Sequence, residues 1–404
     1  MQRVAMLSVH TSPLAQPGTG DGGGMNVYVR ALGSALARAG VAVDVLTRAE
    51  HPEQPPSVEV EPGFRVVHVP AGPCAPVPLR ELPALVGTFS DSARRIMEQS
   101  DERYDVLHAN YWVSGAVGHR LKHELELPLV TTFHTLDRVK AEVGLADNAP
   151  LRPRVEAEVV RCADLVVAST FEERDQLVRH YGADPTRIEI ITPGVDHRVF
   201  FPADQAAARR HLGLPPGPMV LFVGRIQPLK GADLAVRALD DLVDRRTTLV
   251  IVGGPSGPDG AAEVDALHAL VAELGLEHRV CFVAPRPHNQ LADYYRAADV
   301  CVVPSRTESF GLVALEAAAC GTPVVAANVG GLRFLVDDGV TGYLVDQREP
   351  QAYAALIDRV LYEDSDEMRA QAVARSARYR WSIAAARLRR HYDDLAARTP
   401  VQCS

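Results

Sequence analysis

"HTSPLAQPGTGDGGGMN", residues His10 to Asn26, sets five glycines and two prolines between a short apolar run, Val4–Val9, and an amphipathic one, Met25–Ala39. A strand that feeds a helix through so many positions without a side chain opens a βα unit whose loop lets something come close to the backbone. Unpaired N–H groups and the helix dipole at such a junction attract anions. Three readings of the loop stand side by side. It could be a flexible connection. It could be a dinucleotide fingerprint, since Gly18, Gly20 and Gly23 match G-x-G-x-x-G and Asp44 follows about twenty residues on. Or Gly22, Gly23 and Gly24 could form a backbone cradle for a diphosphate or a sugar. The fingerprint puts its first glycine at the strand end, and His10–Pro17 is too long an excursion for that tight turn.

Outward from this loop, short β-branched runs alternate with amphipathic ones, the mark of βαβ units and parallel sheets. The first half reads as strands at Val4–Val9, Val41–Thr47, Phe64–Val69, Val106–Ala109, Pro128–Thr132, Leu165–Ser169 and Ile188–Ile191, with a helix over Leu82–Gln99 among the connections. After "HLGLPPGPM" (His211–Met219) the pattern restarts, with strands at Val220–Val223, Thr248–Val252, Val280–Val283, Val300–Val303, Val324–Ala327 and Gly342–Val345. The expected fold class is α/β, with two Rossmann-like, doubly wound parallel-sheet domains facing a central cleft. Residues 1–195 form the first, 196–218 a linker and 219–375 the second, and a C-terminal helix, 376–404, packs back on the first. Ligands of such sheets bind beyond the carboxyl ends of the strands, so chemistry belongs on strand-to-helix loops.

With 404 residues, 47% hydrophobic and 23% charged, the chain has the composition of a globular protein with two cores. A net charge of −9 disfavours nucleic acid and anionic membrane as partners. No apolar run approaches the roughly 20 residues of a membrane span and no secretory core follows Met1, so a cytoplasmic location is expected. The six cysteines, without C-x-x-C spacing, read as buried thiols, and no metal set is expected. Asp364-Ser365-Asp366 reads as a solvated cap of a tail helix.

Two further loops carry charge. In "FVGRIQPLKG" (Phe222–Gly231), Arg225 offers a fork of donors and Lys230 a point charge, suited to a diphosphate, with Gly231 allowing close approach. In "PSRTESFGLVALEAAACG" (Pro304–Gly321), Glu308 stands at a helix entrance and Glu316 two turns on, each able to accept from paired hydroxyls. Glu308 could equally be a helix-start carboxylate, and Glu316, in an apolar helix, needs a partner. His134 closes a strand in "LVTTFHTLDRVK" (Leu129–Lys140), as His10 does after the first strand.

Together, "GDGGGMN", "FVGRIQPLKG", "VGGPSGP", "PSRTESFGLVALEA" and "GTPVVAANVGG" resemble the retaining GT-B glycosyltransferases that include sucrose-phosphate synthase and glycogen synthase. Within them the chain is most similar to the D-inositol-3-phosphate glycosyltransferases of mycothiol biosynthesis. The resemblance covers Val4 to about Trp381. It implies a nucleotide-diphosphate sugar donor, UDP- or GDP-linked, with no cofactor or metal required. It implies catalytic roles for His134, Arg225, Lys230 and Glu308, and donor binding by Gly23, Gly24, Asn26, Ser309, Phe310, Gly311, Leu312 and Glu316. Acceptor binding falls to His10, Tyr111, Thr135, Lys140, Arg152 and Arg80. The partners implied are the nucleotide sugar and a small-molecule acceptor, and a homodimer is compatible.

The acceptor side departs from the group's pattern. A Lys-Glu-Glu-Leu-Pro stretch is here Leu79-Arg80-Glu81-Leu82-Pro83, and a Val-Lys-Asn is Val139-Lys140-Ala141. The implied function is transfer to a small polar acceptor through an altered phosphate site, in a specialised-metabolite or low-molecular-weight-thiol pathway. D-inositol 3-phosphate and the sulfur of ergothioneine are alternative acceptors. From another class, an NAD-dependent nucleotide-sugar epimerase or dehydrogenase is the alternative.

Overall fold

The computed structural model describes residues 2–145, 149–257, 259–363 and 365–403, so Asp364 of the capping reading lies outside the described residues. The chain divides into two compact units. One holds residues up to Ala15, Met25–Thr192 and Trp381 onward; the other holds Gln16–Gly24 and Pro193–Arg380.

In the first unit, eight strands form one sheet: β1 (Arg3–Leu7), β2 (Ala42–Arg48), β3 (Ser57–Glu61), β4 (Phe64–Val69), β5 (Val106–Asn110), β6 (Leu129–Thr132), β7 (Leu165–Ala168) and β8 (Ile188–Ile190). Their order is β3-β4-β2-β1-β5-β6-β7-β8, parallel except for β3, which runs antiparallel to β4. The second unit has β9 (Met219–Val223), β10 (Thr248–Val252), β11 (Val280–Val283), β12 (Val300–Val303), β13 (Val324–Ala327) and β14 (Gly342–Val345), ordered β11-β10-β9-β12-β13-β14 and all parallel. These are the doubly wound sheets expected from the alternation. Interior strands read as continuous apolar runs because helices cover both faces. In β9, Met219 and Leu221 pack into one apolar cluster, and Val220 and Phe222 into another on the opposite face.

The chain order reverses between β1 and β5 in one sheet and between β9 and β12 in the other. Crevices at such reversals are where open α/β sheets hold ligands. The loops after β1, β5 and β6, and those after β9 and β12, are therefore the ones that matter.

Three local expectations are corrected. "SVEVE", Ser57–Glu61, is a strand that apolar-run reading passes over because it is a mostly polar edge, a composition that discourages further pairing. The single helix over Leu82–Gln99 is instead a 3-10 helix, Leu79–Leu85, followed by an α-helix, Val86–Glu98. Pro83 cannot donate an N–H and its ring would crowd the carbonyl a turn earlier, so the tighter form precedes the regular one. The loop after β6 winds into a short helix, Asp137–Glu142.

The segment 196–218 carries a helix, Gln205–Leu212, fastened within the second unit by Arg209, which bonds Asp299 at 2.7 Å and the Ala297 carbonyl at 2.7 Å. The C-terminal helix, Trp381–Ala396, belongs to the first unit. Its Tyr392 hydroxyl lies 2.6 Å from His108 Nδ1, and Trp381 meets the edge of Tyr28. Among the described residues no helix is long and apolar enough to cross a membrane.

Candidate functional site

In the second unit the glycine-rich loop and the loops after β9 and β12 are built onto one another. A Cβ on Gly23 would sit 3.1 Å from Arg225 Nε and 3.3 Å from its Cζ, so the bare backbone is what lets the guanidinium lie there. Arg225 Nη1 also donates to Ser256 Oγ at 2.9 Å. Gly24 has space, with only Leu312 Cδ1 within reach of an added Cβ, at 3.8 Å. Gly22 is required by its own loop instead, since a Cβ there would meet the Gln16 and Thr19 carbonyls. The loop's need for glycine is thus partly internal.

Lys230 Nζ and Glu308 Oε2 are 2.6 Å apart, both half-buried, and Ser305 Oγ approaches the same carboxylate oxygen at 3.4 Å. The Glu308–Phe310 turn rests on Gly330 and Gly331, since a Cβ on Gly330 would fall on the Glu308 carbonyl oxygen. Gly331 N donates to the Glu308 carbonyl at 2.8 Å, and a Cβ on Gly331 would fall 2.4 Å from Phe310 Cα. Gly311 ends this turn and precedes the helix Leu312–Ala319, so the N–H groups of that helix's first turn open onto the loop that carries Ser309 and Phe310. The approach expected at Gly231 is made by the protein itself, as a Cβ there would lie 2.5 Å from the Pro304 carbonyl.

Glu316 has the partners its apolar helix demanded. Oε1 lies 2.7 Å from His288 Nε2, and Oε2 accepts from the Tyr295 hydroxyl at 2.9 Å. The buried carboxylate is thereby aimed by two side chains, with half-buried His288 its more accessible neighbour.

In the first unit the loops after β1, β5 and β6 converge. The His10 and Tyr111 rings lie 4.5 Å apart. Arg152, fully buried, donates to Glu156 Oε1 at 2.7 Å, to the Tyr111 hydroxyl at 3.1 Å, and to the Thr135 carbonyl and hydroxyl at 2.8 and 3.0 Å. Burial pushes the Glu156 carboxyl above its ordinary range, although Arg152, the Tyr181 hydroxyl and the Asp137 N–H all pull it down. Tyr111, Thr135 and Arg152 thus form one cluster with Glu156 beneath. Lys140 lies on the adjoining short helix, half-buried. Arg80 sits on the 3-10 helix with its side chain 71% exposed, 3.6 Å from Glu81. Asn26, buried, donates to Thr11 Oγ1 at 2.8 Å and to the Ser12 carbonyl at 2.6 Å, pinning the start of the loop.

His134 adopts a positive φ of 63°, an uncommon backbone for histidine, and packs edge-on to Tyr28. Its Nε2 lies 2.9 Å from Asn110 Oδ1. Asn110 Nδ2 faces the His108 carbonyl, so Oδ1 is the acceptor and His134 Nε2 carries the proton. Burial, with His108 and His10 adding to it, pushes the His134 pKa down to about 3, and burial alone does the same to His108. Both rings are neutral at neutral pH and offer hydrogen bonds rather than charge.

This has a stability consequence. An unfolded imidazole takes its proton near pH 6.5, so between there and about 3 the unfolded state binds more protons and stability falls as pH drops. Glu173, fully buried and pushed up to about 7, acts in the opposite sense, penalising the fold as pH rises toward that value. The readable quantity is therefore a difference between variants. Denaturant titrations of His108→Gln should show a pH slope smaller than wild type by up to one proton, about 1.4 kcal/mol per pH unit. An unchanged slope would mean that His108 already binds its proton in the folded state.

The dinucleotide reading fails on Asp44. Its carboxylate accepts from Arg3 at 2.7 Å, Arg65 at 2.7 Å and Tyr104 at 2.6 Å, and is no ribose partner. Burial pushes this carboxyl up, but Arg65, Tyr104 and Arg3 outweigh it and hold it below its ordinary range. Buttresses such as Gly330 and Gly331 were visible as a double glycine, whereas nothing local marked Ser256, His288, Tyr295 or Glu156 as neighbours of the charged residues. The buried-thiol reading holds for Cys301 and Cys320. Cys74 is exposed, and Cys162 and Cys403 are paired as a disulfide.

Residues 22–199 match the family described as Glycosyltransferase Family 4, and residues 204–378 the family described as Glycosyl transferases group 1. Over 413 residues the chain is 48% identical to the D-inositol 3-phosphate glycosyltransferase of Xylanimonas cellulosilytica, spanning 99% of this chain and 98% of that one. It is 36% identical to the solved structure of sucrose-phosphate synthase from Thermosynechococcus elongatus, covering 98% and 100% of the two chains at a TM-score of 0.91. HepE of Anabaena, solved in complex with UDP and glucose, shares the fold at a TM-score of 0.78 and 23% identity, over 98% of this chain and 100% of that one.

Proposed function

Because the chain belongs to the GT-B glycosyltransferases of group 1, we propose that it transfers a sugar, with retention at the anomeric carbon, from a UDP- or GDP-linked donor to a small polar acceptor. The observation that supports this most is the Lys230–Glu308 pair at 2.6 Å, in the same unit as Arg225 laid against Gly23, on loops at the carboxyl ends of β9 and β12. In this reading the donor diphosphate takes the cations, Glu308 and the Ser309–Gly311 amides hold sugar and phosphate, and Glu316 takes the ribose hydroxyls. The bond from the anomeric carbon to the diphosphate breaks, and the acceptor heteroatom bonds to the same face. Its proton passes to the departing phosphate, where Arg225 and Lys230 offset the growing charge. In this reading His134, on the first unit and kept neutral by burial, stands near the donor sugar with its Nε2–H held by Asn110.

For the acceptor, the charge of Arg152 is already balanced by Glu156, and Arg80 is exposed beside Glu81. This favours a polar acceptor without a phosphate dianion, in a specialised-metabolite or low-molecular-weight-thiol pathway; attachment of a sugar to the sulfur of ergothioneine is one such reaction. D-inositol 3-phosphate is the second reading, supported by the convergence of Tyr111, Thr135 and Arg152 and by the relatives' name.

The test is mass spectrometry of UDP- and GDP-sugar reactions with a panel of phosphorylated and unphosphorylated acceptors, with the product anomer assigned by NMR. A kcat/KM for D-inositol 3-phosphate above that of every unphosphorylated acceptor would establish the second reading over the first. An inverted anomer would remove retention.

A further inference from the structure

The first unit contains a group of side chains that the transfer chemistry does not use. His119 and His123 stand one turn apart on the helix Trp112–Leu125, a spacing that puts both rings on one face. Cys162 ends the helix Arg152–Cys162, and Cys403 lies in the tail after the last helix. The four donor atoms, two imidazole nitrogens and two sulfurs, all lie within 4.8 Å of one another. His123 Nε2 is 3.1 Å from Cys403 Sγ and 3.8 Å from Cys162 Sγ, and His119 Nε2 is 3.7 Å from Cys403 Sγ. A tetrahedral zinc with bonds of about 2.0–2.3 Å has donor–donor edges of about 3.3–3.8 Å. Cys162 and Cys403 are joined as a disulfide with a Cα separation of 5.2 Å.

A disulfide accounts for the two sulfurs and leaves the histidines unexplained. Both rings turn Nε2 toward the sulfurs, and Glu158 Oε1 lies 3.7 Å from His119 Nδ1, on the far side of the ring. At that distance Glu158 is an ion-pair neighbour rather than a hydrogen-bond partner, within reach of the second nitrogen that carboxylates commonly orient in metal-bound histidines. The tail is also held in place for this. The Val401 N–H donates to Asp164 Oδ1 at 2.6 Å, and the other oxygen of Asp164 accepts from Lys122 at 2.6 Å and from Leu129 N at 2.7 Å.

We propose that the reduced protein binds one Zn2+ through His119, His123, Cys162 and Cys403, a closed four-ligand structural site that staples the C-terminal tail to two helices of the first unit. Two nitrogens and two thiolates are a donor set that selects zinc among hard and soft divalent cations. The metal-bound and disulfide states exclude each other. A phosphine opens the disulfide to the dithiol by giving two electrons to the S–S bond, ending as its oxide with oxygen from water, while the water protons form two thiols. Zinc then displaces both thiol protons to solvent. The expectation of no metal set arose because the four residues span positions 119 to 403, which no spacing rule connects.

The experiment reduces the full chain with a phosphine under nitrogen, equilibrates it with Zn2+, desalts it and measures metal by mass spectrometry. One zinc per chain is expected, falling well below one in His119→Ala, His123→Ala and Cys403→Ser. Cys403→Ser lies in the exposed tail, so circular dichroism should confirm that it folds. Replacement by Co2+ should give intense tetrahedral visible bands and a thiolate-to-metal charge-transfer band that Cys403→Ser loses. A reduced, folded protein that retains no zinc after desalting, or a Cys403→Ser variant with full stoichiometry, would overturn the proposal and leave the disulfide alone.

Discussion

Lys230→Ala should lower kcat/KM for sugar transfer by about 10²–10³-fold, the scale of removing one preorganised donor from a developing oxyanion. Lys230 is positioned by its bond to Glu308 and by the loop after β9, whose Ile226 N–H donates to the Gly254 carbonyl at 2.9 Å and whose Leu229 carbonyl accepts from Arg306 N at 2.9 Å. The variant should keep its fold, since Ser305 still approaches the Glu308 carboxylate, although loss of this partly buried pair costs about 1–3 kcal/mol. The measurement is steady-state transfer beside a thermal melt. Loss of activity together with loss of structure would point to a structural lysine. Activity within about threefold of wild type would remove Lys230 from the diphosphate site.

The other large effect is on stability. Arg152→Leu should destabilise the first unit by about 3–5 kcal/mol, because it strands a buried carboxylate. Glu156 would keep the Tyr181 hydroxyl and the Asp137 N–H but lose its countercharge. Its carboxyl is already raised by burial, and without Arg152 it rises further. The folded state then binds a proton that the unfolded state releases, so the variant's stability falls as pH rises above the ordinary carboxylate value, and its deficit shrinks in acid. Urea titrations at two pH values read both effects. Replacing the pair together, Arg152→Leu with Glu156→Leu, should recover much of the loss. A single-variant deficit below about 1 kcal/mol would show that Glu156 is not stranded by the change.

Much of this protein was legible before any coordinates. The strands of both sheets announce themselves because parallel strands covered by helices are apolar throughout, as "VCVV" at Val300–Val303 shows. The polar edge Ser57–Glu61 escaped the same rule because a partly exposed edge strand need not be apolar. Arg225, Lys230, Glu308 and Glu316 could be singled out because charges at strand ends and in an apolar helix are costly without a purpose. The neighbours that aim them could not. His288 and Tyr295 reach Glu316 from 28 and 21 residues away, and Glu156 reaches Asp137 across 19.

The opening loop shows where the boundary falls. Its glycines declared a close approach, a property of each residue's own backbone that composition carries locally. What approaches is decided by the fold: the Gln16 and Thr19 carbonyls at Gly22, and the Arg225 guanidinium at Gly23. The sequence by itself determined two parallel α/β sheets and the loops that bear charge, because periodicity and residue type act over a few positions, and the class of chemistry followed from its resemblance to a known family. Only the tertiary structure decided which charges are paired, which histidines are neutral and that His119, His123, Cys162 and Cys403 meet. Pairing and burial depend on residues tens to hundreds of positions apart, brought together by sheet order rather than by spacing.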